Sequence, residues 1–247
     1  QDISNWDVSK VSRLQGVFQN ATYFNQDISN WKLPTSGVSY DNYGSGSGHS
    51  DGLFQDSDTL YFNVNGYEFT DKANLQTAVD AWCVNSDSAY LTYGHISNWN
   101  TTLIEDMSKL FDGTSGTYGT ERAAFNDDIG RWDVSSVTSM NGMFRNSPSF
   151  NNGDSDSINN WNIYSLTNAG DLFQLNNSFN QPINKWNMLG VTNSGGMFLG
   201  TPFNQPLNSW NMSTVTNMAY MFYNNSAFNQ DISNWDVSSV NNMNLMF

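Results

Sequence analysis

Along most of the chain, apolar residues return at fixed distances from a tryptophan. Trp6, Trp31, Trp99, Trp132, Trp161, Trp186, Trp210 and Trp235 lie 25, 68, 33, 29, 25, 24 and 25 residues apart, and only Trp82 falls outside the series. The underlying period is about 25 residues. Three residues before each stands Ile3, Ile28, Ile96, Ile129, Ile158, Ile183, Leu207 or Ile232. Five after come Val11, Ile104, Val137, Leu166, Val191, Val215 and Val240, and twelve after come Phe18, Phe111, Phe144, Phe173, Phe198, Phe222 and Phe247. A Phe-Asn pair begins seven before in five cases, at Phe24, Phe125, Phe179, Phe203 and Phe228. Asparagine, serine and aspartate fill most positions between. A phrase repeated in such strict register is the unit of an architecture, whereas a reaction centre needs its residues once.

Within one unit, I-x-x-W-x-V places alternate side chains on one side of a short strand, as L-x-x-L-x-L does in a leucine-rich repeat. The following V-x-x-M-x-x-M-F spaces apolar groups by three and four, which predicts a helical or 3₁₀ turn. The expected fold is therefore a leucine-rich-repeat-like solenoid. Short parallel strands would stack on one face, with helical or 3₁₀ turns on the other and one hairpin-plus-helix insertion. A single unit cannot bury its own apolar side, and stacking does so. The eight periodic tryptophans are the candidate scaffold residues, and methionines such as Met140, Met143, Met218 and Met221 are core filler. Asn5, Asn30, Asn98, Asn160 and Asn234, each beside a tryptophan, are expected to line up as a polar ladder.

The full phrase, FNQDISNWDVSSV followed by M-x-x-MF, resembles the BspA-like leucine-rich-repeat surface proteins, a repeat seen in Mycoplasma lipoprotein-associated families and in algal, protist and giant-virus sequences. The resemblance covers most of residues 1–54 and 95–247. It implies an extracellular or cell-surface role and no particular ligand.

The repeat is interrupted after Trp31. Gly and Ser dominate 35–52, which predicts a surface loop. Next, TLYFNVNGYEFT reads as two strands joined by Asn65-Gly66, the preferred pair for a type I′ hairpin turn. Then Leu75, Ala78, Val79 and Trp82 fall on one face of a helix with Thr70 or Asp71 as its N-cap. The run NLQTAVDAWCVNSDSAYLTYGHISNW resembles the segment that leads into the first coil in algal members of the family. By that resemblance 68–94 caps the start of a six-coil array at 95–247 and 1–54 closes a preceding array, so that 55–94 is a hairpin and capping helix; the competing reading is one continuous solenoid from which 55–94 bulges as a lateral insertion.

Composition changes the picture in few places. A formal charge of −14, from 9 Lys+Arg and 23 Asp+Glu, disfavours nucleic acid and anionic membrane. No stretch is apolar enough for direct membrane insertion. The one cysteine, Cys83, excludes an internal disulfide and reads as a buried thiol. His49 and His95 lack a nucleophile and orienting partner at a recognisable spacing, so catalytic residues and a resident cofactor are not assigned and a non-enzymatic chain is expected. Asp154 and Asp156 are the candidate calcium ligands, hard oxygen donors close in sequence but without EF-hand spacing, and a solvated acidic loop is the preferred reading. Sequons at Asn20, Asn100, Asn176, Asn211 and Asn224 are candidate N-glycosylation sites.

The sequence opens inside one unit and stops at the MF of another, so a piece of a longer chain is expected. Two functions remain open. One is a structural or adhesive surface protein that self-associates into a filament or layer, or binds other surface proteins and glycans. The other is a recognition module that binds a glycan or protein through its strand face or the 34–94 insert, with tyrosines such as Tyr67, Tyr90, Tyr93 and Tyr118 gathered in or near the irregular segments.

Overall fold

The computed structural model describes Trp6, Asp7, Lys10, residues 67–114 and residues 116–247. Two compact units divide the chain, Gln1–Val64 and Asn65–Phe247. The 35–52 loop, the Asn65-Gly66 hairpin turn, Trp31 and Asn20 lie outside the described residues.

From Trp99 onward the chain winds as successive coils, and the tryptophan fixes each one twice. The N–H of Trp132 donates to the carbonyl of Ile129, closing a turn across I-x-x-W, and Trp99, Trp161, Trp186, Trp210 and Trp235 do the same. The indole Nε1 then donates to the isoleucine or leucine carbonyl one coil back: Trp132 to Ile96, Trp161 to Ile129, Trp186 to Ile158, Trp210 to Ile183 and Trp235 to Leu207. The donor needs a partner once its ring is buried, and the carbonyl at the turn is that partner. The segment read as a strand is thus a turn.

Pairing between coils falls later in the unit, on the stretch read as a helix. It consists of isolated parallel bridges at the seventh residue after each tryptophan: Asp106 to Ser139, Ser139 to Asn168, Asn168 to Asn193, Asn193 to Asn217 and Asn217 to Asn242. Around them every second N–H donates to the neighbouring coil, as Met140, Gly142, Phe144 and Asn146 donate to Asn168, Gly170, Leu172 and Gln174. Intervening N–H groups close i to i+3 turns, Met143 onto Met140 and Arg145 onto Gly142.

These findings overturn the expected strand-stacked, leucine-rich-repeat-like solenoid: among the described residues there is no strand longer than a bridge and no sheet. Over I-x-x-W the reason is the turn closed by the tryptophan N–H, and over the later stretch where the coils pair it is the tenth residue after each tryptophan, which has left-handed backbone: Lys109, Gly142, Asp171, Gly196, Tyr220 and Leu245 have φ of 59°, 61°, 54°, 63°, 58° and 48°. A left-handed residue breaks the run of extended dihedrals that a strand needs, and it stops a helix after one turn. The three-residue methionine spacing therefore belongs to an isolated turn.

Stacking of side chains fills the interior. Phe111, Phe144, Phe173, Phe198 and Phe222 form one column with successive ring centroids 5.3, 5.7, 6.0 and 5.5 Å apart. The phenylalanines of the Phe-Asn pairs form a second, Phe150, Phe179 and Phe203, with centroids 6.1 and 6.0 Å apart. The columns touch within each coil, as Phe173 meets Phe179 at 3.7 Å. Met140, Met143, Met197, Met218 and Met221 are wholly buried beside them.

Helix α1, Lys72–Val84, precedes the first coil, with Asp71 as N-cap accepting from the N–H of Asn74 at 2.9 Å. Leu75, Ala78, Val79 and Trp82 share its buried face. Gln76 donates from Nε2 to the carbonyl of Leu110 at 2.9 Å, and the Trp82 indole donates to Asp127 Oδ2 at 2.7 Å, so the helix lies against coil residues. Helix α2, Ser86–Tyr93, follows with Asn85 as its N-cap. A short α3, Gly119–Ala123, brings Arg122 to 3.1 Å from Asp80 of α1.

Candidate interaction face

Polar side chains are mostly engaged in holding coil to coil. The asparagine of each Phe-Asn pair accepts, through Oδ1, the backbone N–H of its counterpart in the next coil: Asn126 from Asn151, Asn151 from Asn180, Asn180 from Asn204 and Asn204 from Asn229. A second column links side chain to side chain, Asn217 Nδ2 to Asn193 Oδ1 and Asn193 Nδ2 to Asn168 Oδ1, both at 2.9 Å. Each Oδ1 there also accepts the N–H two residues on, from Gly170, Gly195 or Ala219. The anticipated column through Asn98, Asn160 and Asn234 is not the one that forms. Those side chains are exposed, and Asn160 receives Lys185 Nζ instead.

Buried acids are likewise tied down. Asp112, fully buried, receives Arg145 at 2.5 Å and Thr114 through both its hydroxyl and its N–H. Burial opposes its charge, but these bonds outweigh it and hold the carboxyl below its ordinary value. Asp128 behaves alike: desolvation is overcome by hydrogen bonds from Ser157, Gly130 and others.

Beside the asparagine column the surface dips into a shallow depression of about 290 Å³, lined by Asp171, Gln174, Asn193, Asn217 and Tyr220 over a floor of Gly170, Gly195 and Gly196. The floor is glycine for steric reasons. A Cβ on Gly195 would lie 2.8 Å from Asn217 Nδ2, and one on Gly196 would overlap the Asp171 carboxylate. Asp171 is half-buried, and desolvation raises its carboxyl above the ordinary value against the opposing charge of Arg145.

The family profile described as Mycoplasma protein of unknown function, DUF285, matches residues 1–42, 82–208 and 190–247. The chain belongs to this family. No curated protein and no solved structure matches the chain.

In this DUF285 chain the tryptophans named from sequence divide by position. Trp99, Trp132, Trp161, Trp186, Trp210 and Trp235 are buried, whereas Trp6 is 56% exposed. Asp154 and Asp156 are exposed, with Asp154 Oδ1 accepting from Asn151, and among the described residues no three His, Cys, Asp or Glu gather at one point. Asn211 and Asn224 are exposed and Asn100 is half-buried, but Asn176 is fully buried. Its Nδ2 donates to Phe150 and its Oδ1 accepts from Ser178 and Phe179, which leaves no room for a sugar. The tyrosines near the helices pack among themselves: Tyr67 lies 4.8 Å from Phe69 and 4.9 Å from Tyr93. Burial pushes the Cys83 thiol up to about 12. No helix among the described residues is long and apolar enough to cross a membrane. Sequence reasoning missed the depression, and the adjacent Gly195-Gly196 was the one signal for it.

Proposed function

We propose that this DUF285 protein is a non-enzymatic extracellular or cell-surface module with a structural or adhesive role, its partners being other surface proteins, glycans or further copies of itself. One observation carries the reading. Asp112, Asp128 and Arg145, with the asparagine columns, are engaged in binding one coil to another. Kinship with the BspA-like surface proteins, carried by the repeated phrase, belongs to this proposal, and the leucine-rich-repeat architecture does not. Biotinylation of intact cells of the source organism with an impermeant reagent tests the location. Labelling before lysis supports the surface role, and labelling only after lysis overturns it. Electron microscopy over a concentration series tests self-association, ordered fibres or sheets being its expected sign and dispersed monomers its refutation. A recognition role is favoured by the depression beside Tyr220, where polar groups converge at the surface.

A further inference from the structure

The asparagine columns set a standard for what a satisfied surface looks like here, and the depression departs from it. Among the described residues the Asp171 carboxylate, which can accept at both oxygens, receives no hydrogen bond, and the Gln174 side-chain amide makes none. Asn193 and Asn217 each engage one of two amide hydrogens within the column, leaving one N–H apiece. The Tyr220 hydroxyl accepts from Asn244 Nδ2 at 3.1 Å and keeps its own O–H to donate. These groups line one depression.

We propose that the depression lined by Asp171, Gln174, Asn193, Asn217 and Tyr220 binds one neutral sugar residue of a glycan. The proposal rests on the adhesive reading above and names its ligand class. A sugar ring offers adjacent hydroxyls that donate to a carboxylate while accepting from amide N–H groups, which is the mixture present. Its C–H face suits the Tyr220 ring, 36% exposed at the rim. A cation fits less well, because Asp171 already feels the positive charge of Arg145 and no second carboxylate lines the depression. The volume of about 290 Å³ accommodates one ring rather than an oligosaccharide, just below the ~300–1,000 Å³ of small-ligand sites. Gly196 has a structural part in this. With φ of 63° and the carboxylate directly over it, a side chain there would displace Asp171.

The test is affinity electrophoresis of the whole chain through gels containing a neutral glucan, mannan, galactan or soluble chitin derivative. Retardation by at least one of these is expected, reversed by its free monosaccharide. Asp171→Ala and Tyr220→Ala should each weaken it about tenfold, or ~1.4 kcal/mol. Tyr164→Ala, a 68% exposed tyrosine outside the depression, should leave it unchanged. Melting curves establish that the variants fold, and Asp171→Asn supplies an isosteric variant if Asp171→Ala does not. Migration unaffected by every polysaccharide overturns the site, as does retardation that survives both substitutions. Retention on polylysine that is lost in Asp171→Asn would replace the sugar with a cationic partner. Surface labelling without glycan retardation overturns this site alone, whereas retardation by a protein labelled only after lysis overturns the surface reading alone.

Discussion

At the scale of single residues, the tryptophan is what the phrase is built around, and its indole nitrogen explains why. Trp186 Nε1 donates to the Ile158 carbonyl at 2.9 Å inside the core. Trp186→Phe keeps an aromatic ring but removes this donor and leaves a small void, so it should destabilise by about 2 kcal/mol in denaturant unfolding. An unchanged midpoint would show that the coil-to-coil bond is dispensable. Titration is the other residue-scale test. Asp112 and Asp128 have carboxyls held below their ordinary value in the fold. Their stabilisation is complete above the usual aspartate range, about pH 4, and is lost as pH falls through that range toward the folded values. Asp171 has the opposite sign, its carboxyl being raised by burial. Its charged form therefore weakens the fold above the same range, and Asp171→Asn should raise the melting temperature at neutral pH while leaving acid stability unchanged.

At the scale of the element, the left-handed position decides what the unit becomes. Lys109 adopts φ of 59° with an exposed side chain, so Lys109→Gly should stabilise by about 1 kcal/mol. Gly196→Ala should destabilise by about 2 kcal/mol or more, since the backbone is strained and the new methyl overlaps Asp171. Equal effects from the two would remove the left-handed residue as the reason that no strand forms where the coils pair. This position also shows where the sequence stops being legible. The period, the buried tryptophans and the apolar face of α1 could be read because burial imposes a spacing. The left-handed turn is occupied by Lys109, Gly142, Asp171, Gly196, Tyr220 and Leu245, a set with no shared chemistry. A three-residue methionine interval fits a helix and an isolated turn equally well, and the wrong one was expected. The Phe-Asn pair was visible without its purpose, because an amide that accepts a backbone N–H from the next coil leaves no trace in one unit alone.

For the molecule as a whole, stability is expected to be nearly a sum over coils and the contacts between neighbours. Removal of 187–210, the interval from one tryptophan to the next, should give a folded, cooperatively unfolding protein with a lower midpoint. The Phe-Asn, asparagine and indole columns would simply close up by one place. Removal of half that interval puts each ladder donor opposite the wrong acceptor, and circular dichroism should then show an unfolded chain. A folded product from the half-length deletion would mean the columns do not set the register. The depression was the least legible part of the molecule from sequence, since it is assembled from residues of successive coils, Asp171, Asn193 and Asn217, and none of them is distinctive in its own unit.

The aligned indoles have an optical consequence. Rings of Trp99 and Trp132, Trp161 and Trp186, and Trp210 and Trp235 stand 6.1, 6.0 and 6.3 Å apart with interplanar angles of 16°, 10° and 8°. Chromophores this close and this nearly parallel share excited states, so the ultraviolet transitions of the protein should split into paired bands of opposite sign, whose order reports the handedness with which one coil is turned upon the next.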